Sequence, residues 1–306
     1  MAIKSIDWSC KHDIFIKNAD GSLSRMDEPY YRSEQVAPGT WKVLSSGDYS
    51  YLVVGDGVGL SIDCGYGAGN IREYLEGLGG VPVPYVANTH DHFDHTANNA
   101  YFDKAYMSAF TAQWATDPFP SFEGIDFHPD EYERVVLQDG DVIPLKGREL
   151  IAISVPDHAA GSMMYLDRKA RILFSGDEIF GGNMGKSLNG GLASWVRNLE
   201  KVEKHLDEFD ILCGGAAVMP KERFINFLAC ARYAQEHEGT IPERRGPGGP
   251  PRTPQYDAEG HIIYDRMMPH AGDRSRTPHI EHDPANMRMV EYAGTRIMYD
   301  ITMKDQ

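Results

Sequence analysis

Residues 89–96 run Thr-His-Asp-His-Phe-Asp-His-Thr, setting three histidines and two aspartates within six positions directly behind a short apolar stretch, Pro84-Tyr85-Val86-Ala87-Asn88. A solvated loop gains nothing from histidines at that spacing, whereas a metal ion does. The chain must therefore bring the end of a buried strand to a place where an ion can sit. On extended backbone the i and i+2 side chains point the same way, so His90 and His92 can face one ion. Beyond the strand end the chain turns, and Asp94 and His95 then face a neighbouring position. Neutral imidazoles with carboxylates suit zinc, or another first-row metal such as iron or manganese.

The pattern around this run alternates between strands and helices. Trp41–Leu44, Tyr49–Val54 and Gly59–Asp63 are short β-type runs separated by turn residues, Ser45-Ser46-Gly47-Asp48 and Gly55-Asp56-Gly57. Ala68–Leu78 sets Ile71, Tyr74, Leu75 and Leu78 at helical spacing, and Gly79-Gly80 stop it. Thr96–Tyr101 opens a further helix. Short strands recur over Val135–Val155, and Met163–Leu166 pairs with Ile172–Ser175 as a hairpin. Trp195–Phe209 is an amphipathic helix, Ile211–Cys213 a strand and Lys221–Glu238 a helix. Strands followed by helices, twice over, predict two related halves packed sheet to sheet with helices outside. The Gly- and Pro-dense stretch 239–254 is a linker, and His261–Tyr264 and Met287–Ile301 are strands of an appended element. Residues 1–40 form an arm, 41–238 the main domain, and 239–306 a linker and extension that packs on the domain or on a partner.

Composition narrows the function classes. A 306-residue chain with 42% hydrophobic and 25% charged residues is an ordinary globular protein. Its 45 acidic residues outnumber 30 basic ones, and a net charge of -15 repels phosphate backbones, so no nucleic-acid partner is expected. Arg244, Arg245 and Arg252 make a local basic patch that is best taken as a solvated loop. Cys10, Cys64, Cys213 and Cys230 are scattered, which excludes a thiolate zinc finger and gives no disulfide framework. The first eight residues carry no apolar signal core, and no run approaches the ~20 apolar residues of a membrane span. No membrane partner is expected, and a cytoplasmic location is the default.

Three further segments resemble one family. Thr89–Thr96 resembles the HxHxDH signature of the metallo-β-lactamase superfamily of hydrolases. Ser61-Ile62-Asp63-Cys64-Gly65 is similar to its earlier strand-end aspartate, Asp157-His158-Ala159-Ala160-Gly161-Ser162 to its GHTxGS element, and Leu173-Phe174-Ser175-Gly176-Asp177 to its FxGD element. Order and spacing agree from about Trp41 to Pro220. The resemblance implies an α/β fold, a four-layer αββα sandwich, with the site at one edge of two sheets. It implies one metal held by His90, His92 and His158, and a second held by Asp94 and His95, with Asp177 bridging. Asp63 is then expected behind a ligand histidine, fixing its tautomer.

The chain departs from the pattern at one place. That family adds one more histidine to the second metal, in a PGHG-like turn after a short strand. The matching segment is Ile211-Leu212-Cys213-Gly214-Gly215-Ala216, with Gly215 where the histidine is expected. The chain then binds a single metal, holds the second with fewer ligands, or replaces the missing one. His261, His270, His279 and His282 are candidates from the tail, and Cys213 is a softer one. A pseudoenzyme is disfavoured by the intact Asp94 and Asp177.

The implied activity is metal-dependent hydrolysis of an ester-like bond in a small-molecule substrate: a lactone, a thioester or a related carboxylic derivative. Zinc is the expected cofactor, as one or two ions, with iron or manganese as alternatives. Asp94 is the candidate catalytic residue beside the activated water, and Phe93, Phe180, Met184 and Trp195 are candidate pocket residues. The competing classes are an iron-dependent oxidoreductase on the same fold, which His92 argues against, and a metal-binding protein without turnover. The extension also suggests a homo-oligomer, since a tail without its own core can pack across a second copy.

Overall fold

The computed structural model describes residues 14–17, 23–25, 31–45, 48–65, 70–115, 132–181, 186–242, 255–256, 262–265 and 280–306. Elements are numbered along the chain. Two short strands, β1 (Ile14–Lys17) and β2 (Leu23–Arg25), precede the first large sheet. That sheet opens as an antiparallel meander of β3 (Arg32–Ala37), β4 (Thr40–Ser45), β5 (Asp48–Val54) and β6 (Gly59–Ile62). Helix α1 (Ile71–Gly79) follows. Asn70 caps its start by accepting the Glu73 amide, and Gly80 ends it at a φ of 65°, a conformation open to glycine without strain. The chain then adds β7 (Tyr85–Ala87), the short helix α2 (Phe93–Thr96), β8 (Lys104–Ser108), α3 (Ala109–Trp114) and β9 (Glu133–Leu137). Strands β6 to β9 pair in parallel.

The second sheet begins with an antiparallel run, β10 (Val142–Leu145), β11 (Arg148–Ser154), β12 (Met163–Asp167) and β13 (Ile172–Gly176). After β14 (Lys186–Ser187) and α4 (Leu192–Glu203), the sheet is completed by β15 (Ile211–Gly214), parallel to β13, and β16 (Val218–Pro220). Helix α5 (Glu222–Glu236) follows. Then come β17 (Gln255–Tyr256) and β18 (Ile262–Asp265), which share a small sheet with β1 and β2, and the hairpin β19 (Met287–Tyr292) and β20 (Thr295–Asp300). Strand β20 pairs with β14, Lys186 opposite Ile297 and Ser187 opposite Met298.

The apolar faces decide the stacking. Tyr51, Leu60 and Ile62 of the first sheet meet Leu150, Tyr165 and Phe174 of the second in a shared core. Each such side chain withdrawn from water contributes ~1.5–3 kcal/mol. The outer face of the first sheet is covered by Ile71 and Leu75 of α1. The outer face of the second is covered by Trp195 and Leu199 of α4, Phe224 and Leu228 of α5, and Ile297 and Tyr299 of the hairpin. The layers therefore run helix, sheet, sheet, helix. Arg148 pins the sheets together: its Nε donates to Asp167 Oδ2 at 2.8 Å, and Nη1 to the carbonyls of Gly39 and Val54 at 2.8 and 3.1 Å. Helix α4 begins at Gly191 without a side-chain cap. Its free amides are met from the tail instead: Ala193 N donates to Lys304 O at 3.0 Å and Ser194 N to Gln306 O at 2.6 Å.

Several boundaries differ from the sequence expectation. The first forty residues, expected as an arm or loop with at most one short strand, hold β1, β2 and β3, and β3 is an edge strand of the first sheet. The turn Ser45–Asp48 is shorter than expected, because Asp48 already belongs to β5. Glu133–Leu137 closes the first sheet rather than opening the second; a β-type run does not say which sheet it joins. No long helix follows Thr96, only α2 and a single tight turn at Asn99–Tyr101. There, Asn98 Nδ2 bonds Cys64 O and Asn99 Nδ2 bonds Asn88 Oδ1, at 3.0 and 2.8 Å, and such side-chain bonds compete with helix continuation. Helix α4 stops at Glu203, although Phe209 continues the apolar period into the same core. Among the described residues, no helix is long and apolar enough to cross a membrane.

Candidate metal centre

The loop after β7 and the short helix α2 carry the histidine run, and the ends of β6, β11 and β13 bring the remaining residues to it. His90, His92 and His158 present donor atoms that all lie within 4.8 Å of one another. His92 Nδ1 faces His158 Nε2 at 3.1 Å, and the ring centroids of His90 lie 4.4 and 4.8 Å from those of His92 and His158. A second group joins His90, His95 and Asp177. Asp177 stands between the two, 3.6 Å from His158 Nε2 through Oδ2 and 3.6 Å from His95 Nε2 through Oδ1. Asp94 Oδ2 is 3.8 Å from the same His95 nitrogen. All six residues proposed as ligands from the sequence thus meet at one place.

Asp63 lies behind this group, at the end of β6, with a left-handed φ of 54° that an aspartate tolerates. Its carboxylate accepts the Thr89 amide at 2.7 Å, the Thr89 hydroxyl at 2.8 Å and His95 Nδ1 at 2.8 Å. The proton positions follow from these contacts. A carboxylate only accepts, so His95 Nδ1 carries a proton, and in the neutral imidazole Nε2 is the lone pair that faces the site. Thr89 has given its own proton to Asp63, so at 3.0 Å its oxygen accepts from His90 Nδ1, and His90 Nε2 is likewise a lone pair. Both Nε2 atoms are buried and have no hydrogen-bond partner among the described residues. Buried polar groups without partners are rare, and two imidazole lone pairs aimed into one space fit a cation.

The charge states of His90 and His158 agree with this. Burial pushes His90 well below the usual histidine range, and its three neighbouring imidazoles push it further. Burial also lowers His158. Both are neutral, as a metal ligand must be. Burial acts on His95 in the same direction, but Asp63, Asp94 and Asp177 override it and raise it well above the usual range, so without another cation they draw a second proton to Nε2, the position a metal ion would take. Burial alone raises Asp177, yet His95 dominates and holds it at about 2. The site is therefore built for a positive charge among carboxylates. Its donors, imidazole and carboxylate, suit zinc and its first-row neighbours.

Some site residues are not evident from motif spacing. In the sequence Thr89 is only the flank of the run, and its hydroxyl gains a role once Asp63 folds against it. Asp48 reads as a turn residue, yet it forms a third donor group with Asp94 and His95. Burial, with Asp94 beside it, pushes its carboxyl up to about 8. An acid placed at the first residue of a strand, rather than in the turn before it, is the one local sign. Glu178 and Lys186 brace the His158 turn. Glu178 Oε2 accepts the His158 amide at 2.9 Å, and Lys186 Nζ lies 3.1 Å from Asp157 Oδ2 and 3.5 Å from Glu178 Oε1.

A cleft of about 280 Å³ opens beside His158 and Asp177, lined also by Phe180, Lys186, Asn189 and Phe227. Trp195 does not line it. It is fully buried, and its Nε1 donates to Glu178 Oε1 at 3.0 Å. Gly215 lies against Asp177: a Cβ there would stand 1.8 Å from Asp177 Oδ1. Of the alternative ligands, Cys213 is buried in the core between the sheets. His282 bonds Asp300 Oδ2 through Nδ1 at 3.1 Å and belongs to none of the three donor groups. His261, His270, His279, Met184 and the arginines at 244, 245 and 252 lie outside the described residues.

Comparison with known proteins agrees with this architecture. Residues 47–217, more than half of the chain, match the model of the metallo-beta-lactamase superfamily. The acyl-coenzyme A thioesterase MBLAC2 of Gallus gallus is 32% identical over 162 residues, 44% of this chain and 58% of that protein. A hydroxyacylglutathione hydrolase of Synechococcus sp. is 26% identical over 183 residues, 54% of this chain and 67% of the relative. The chain thus spans less than two thirds of the thioesterase it matches. A metallo-beta-lactamase from Pontibacter korlensis superposes with a TM-score of 0.52 at 16% identity, over 66% of this chain and 99% of that one. One from Hirschia baltica gives 0.53 at 14%, over 66% and 97%. These two likenesses concern the fold alone, an αββα sandwich. On the family match, this chain belongs to the metallo-beta-lactamase superfamily.

Proposed function

We propose that the chain is a metal-dependent hydrolase acting on thioesters of small carboxylic acids. The observation that carries this is the convergence of His90, His92 and His158 on one side of Asp177, and of Asp94 and His95 on the other. Zinc is the preferred metal; His90, His92 and His158 would hold a first ion, and Asp94 and His95 a second, with Asp177 within reach of both. When bound, such an ion stabilises charge on the acyl oxygen and lowers the pKa of water to about 7. Thioester is preferred to lactone because relatives of this chain are named for cleaving acyl-coenzyme A and hydroxyacylglutathione.

The remaining chemistry belongs to the chain's own residues. Asp94 is placed to orient the attacking water and accept its proton, since burial raises its carboxyl above the usual range. Asp63 keeps the His95 proton on Nδ1 and away from the site. Phe180 and Phe227 give the cleft an apolar side for an acyl group. In the reaction the water oxygen bonds to the acyl carbon, the carbon–sulfur bond breaks, and the thiol leaves with a proton.

The test combines elemental analysis of the purified protein with release of free thiol from an acyl-coenzyme A and from a hydroxyacylglutathione. A lactone and a phosphodiester serve as comparators. Bound zinc, thiol release and its loss in His90→Ala are expected. Protein without metal, or turnover unchanged in His90→Ala, would overturn the reading. Iron together with oxygen consumption would move the chain to the oxidoreductase class.

A further inference from the structure

Against the family pattern, the second half of the centre lacks one side chain, at Gly215. Gly215 cannot supply it. The space beside its Cα is filled by Asp177, with only 1.8 Å between a Cβ and Asp177 Oδ1. The backbone there is held on both sides: Gly215 N donates to Gly176 O at 3.0 Å, and Gly215 O accepts from Tyr49 N at 2.7 Å. That second bond sets the start of β5 against the glycine. The residue before Tyr49 is Asp48, and its carboxylate, that of Asp94 and the imidazole of His95 bring donor atoms within 4.8 Å of one another.

An independent observation points to a ligand at this spot. His95 Nε2 is buried, with its side chain 1% exposed, and lies beyond hydrogen-bond reach of Asp177 and Asp94 at 3.6 and 3.8 Å. Its other nitrogen is committed to Asp63, so its lone pair is directed among the carboxylates of Asp48, Asp94 and Asp177. The three carboxyl groups cannot all be ionised around this one buried nitrogen unless a cation, a proton or a metal ion, joins them. The nearby cation of Lys186 is engaged by Asp157 and Glu178.

We propose that Asp48 is a ligand of the second metal position, taking the part of the side chain that Gly215 lacks. The inference rests on reading the histidine run as a metal centre. It makes the two positions chemically unequal. The first offers three imidazoles with Asp177, whereas the second offers Asp48, Asp94 and Asp177 with the single imidazole of His95. Oxygen-rich sites favour harder cations, so the second position accepts manganese more readily than the first.

Metal-free protein titrated with zinc and, separately, with manganese tests this, with bound metal counted by elemental analysis after gel filtration. Wild type is expected to retain two zinc ions. Asp48→Asn, which keeps the shape and removes the charge, is expected to retain one and to lose the manganese response. Asp48→Glu restores a carboxylate and the second equivalent, and its circular dichroism controls for folding. Two ions at unchanged affinity in Asp48→Asn would overturn the role of Asp48 while leaving the metal centre intact. A wild type that holds only one ion would overturn it equally. A wild type that binds none would instead overturn the reading of the centre itself.

Discussion

Asp63 Oδ2 accepts from His95 Nδ1 at 2.8 Å, and this contact decides which nitrogen of His95 faces the site. Asparagine at position 63 keeps the volume but can offer an N–H in place of a carboxylate oxygen. Presented to His95, that N–H stabilises the opposite tautomer and points a proton into the centre. Partners behind metal ligands typically contribute 10–100-fold in affinity or activity. Asp63→Asn is therefore expected to weaken metal binding by about that factor, read by competition with a chromogenic chelator. Unchanged affinity would show that the tautomer is set elsewhere.

Gly176 is the hinge between β13 and Asp177, with a φ of 50°. A Cβ there would lie 2.5 Å from Thr89 Oγ1 and 2.6 Å from Thr89 Cβ. Gly176→Ala combines a conformation unfavourable to L side chains with a clash, each costing ~1–3 kcal/mol. The clash falls on the hydroxyl that links His90 to Asp63, so metal affinity is expected to fall together with stability. Denaturant unfolding and metal counting on the same sample measure both. A loss of stability with full metal loading would confine the effect to the backbone.

Arg148 and Asp167 are buried in the layer between the sheets, their side chains 5% and 0% exposed. Removing one member of a buried pair leaves the other charge without compensation, at a cost of ~3–5 kcal/mol. Arg148→Met is expected to destabilise the fold by about that amount, and the further change Asp167→Leu to recover part of it. A double-mutant cycle by urea unfolding gives the coupling. Additive losses would mean that the pair contributes only through its separate packing.

Metal removal couples the centre to the fold. On the proposed reading, a metal ion would satisfy the apposed imidazoles and the unpartnered Nε2 atoms of His90 and His95 in the folded chain. Chelation is therefore expected to lower the melting temperature. The stabilisation lost is about 4 kcal/mol for free metal at a thousand times its dissociation constant. Scanning calorimetry with and without chelator, followed by zinc add-back, reads the effect; a melting temperature indifferent to zinc would argue against a folded-state metal site.

The legible part of the site is the part written locally. His90, His92, Asp94 and His95 are contiguous, and His158, Asp177 and Asp63 each lie in a short motif at a strand end. The structure brings all of them together. Asp48 and Thr89 were hidden for a different reason. Their relevance arises from contacts with residues far along the chain, Asp48 through the bond between Tyr49 and Gly215, Thr89 through Asp63. The sheet membership of Glu133–Leu137 was equally hidden, because a strand's composition reports burial and not its neighbour. The end of α4 is not legible in the sequence because Phe209 enters the same core from outside the helix.

The pairing of β14 with β20 has a consequence for how the cleft is shaped. Lys186, a wall residue beside His158, is held in register by Ile297, while the carbonyls of residues 304 and 306 close the first turn of α4. A change in the hairpin at 287–300 would thus reach the cleft through Lys186 and Ser187, which line it, while the histidine run sits on elements of the other large sheet. Selectivity in such a chain can drift through a segment remote in sequence from its chemistry.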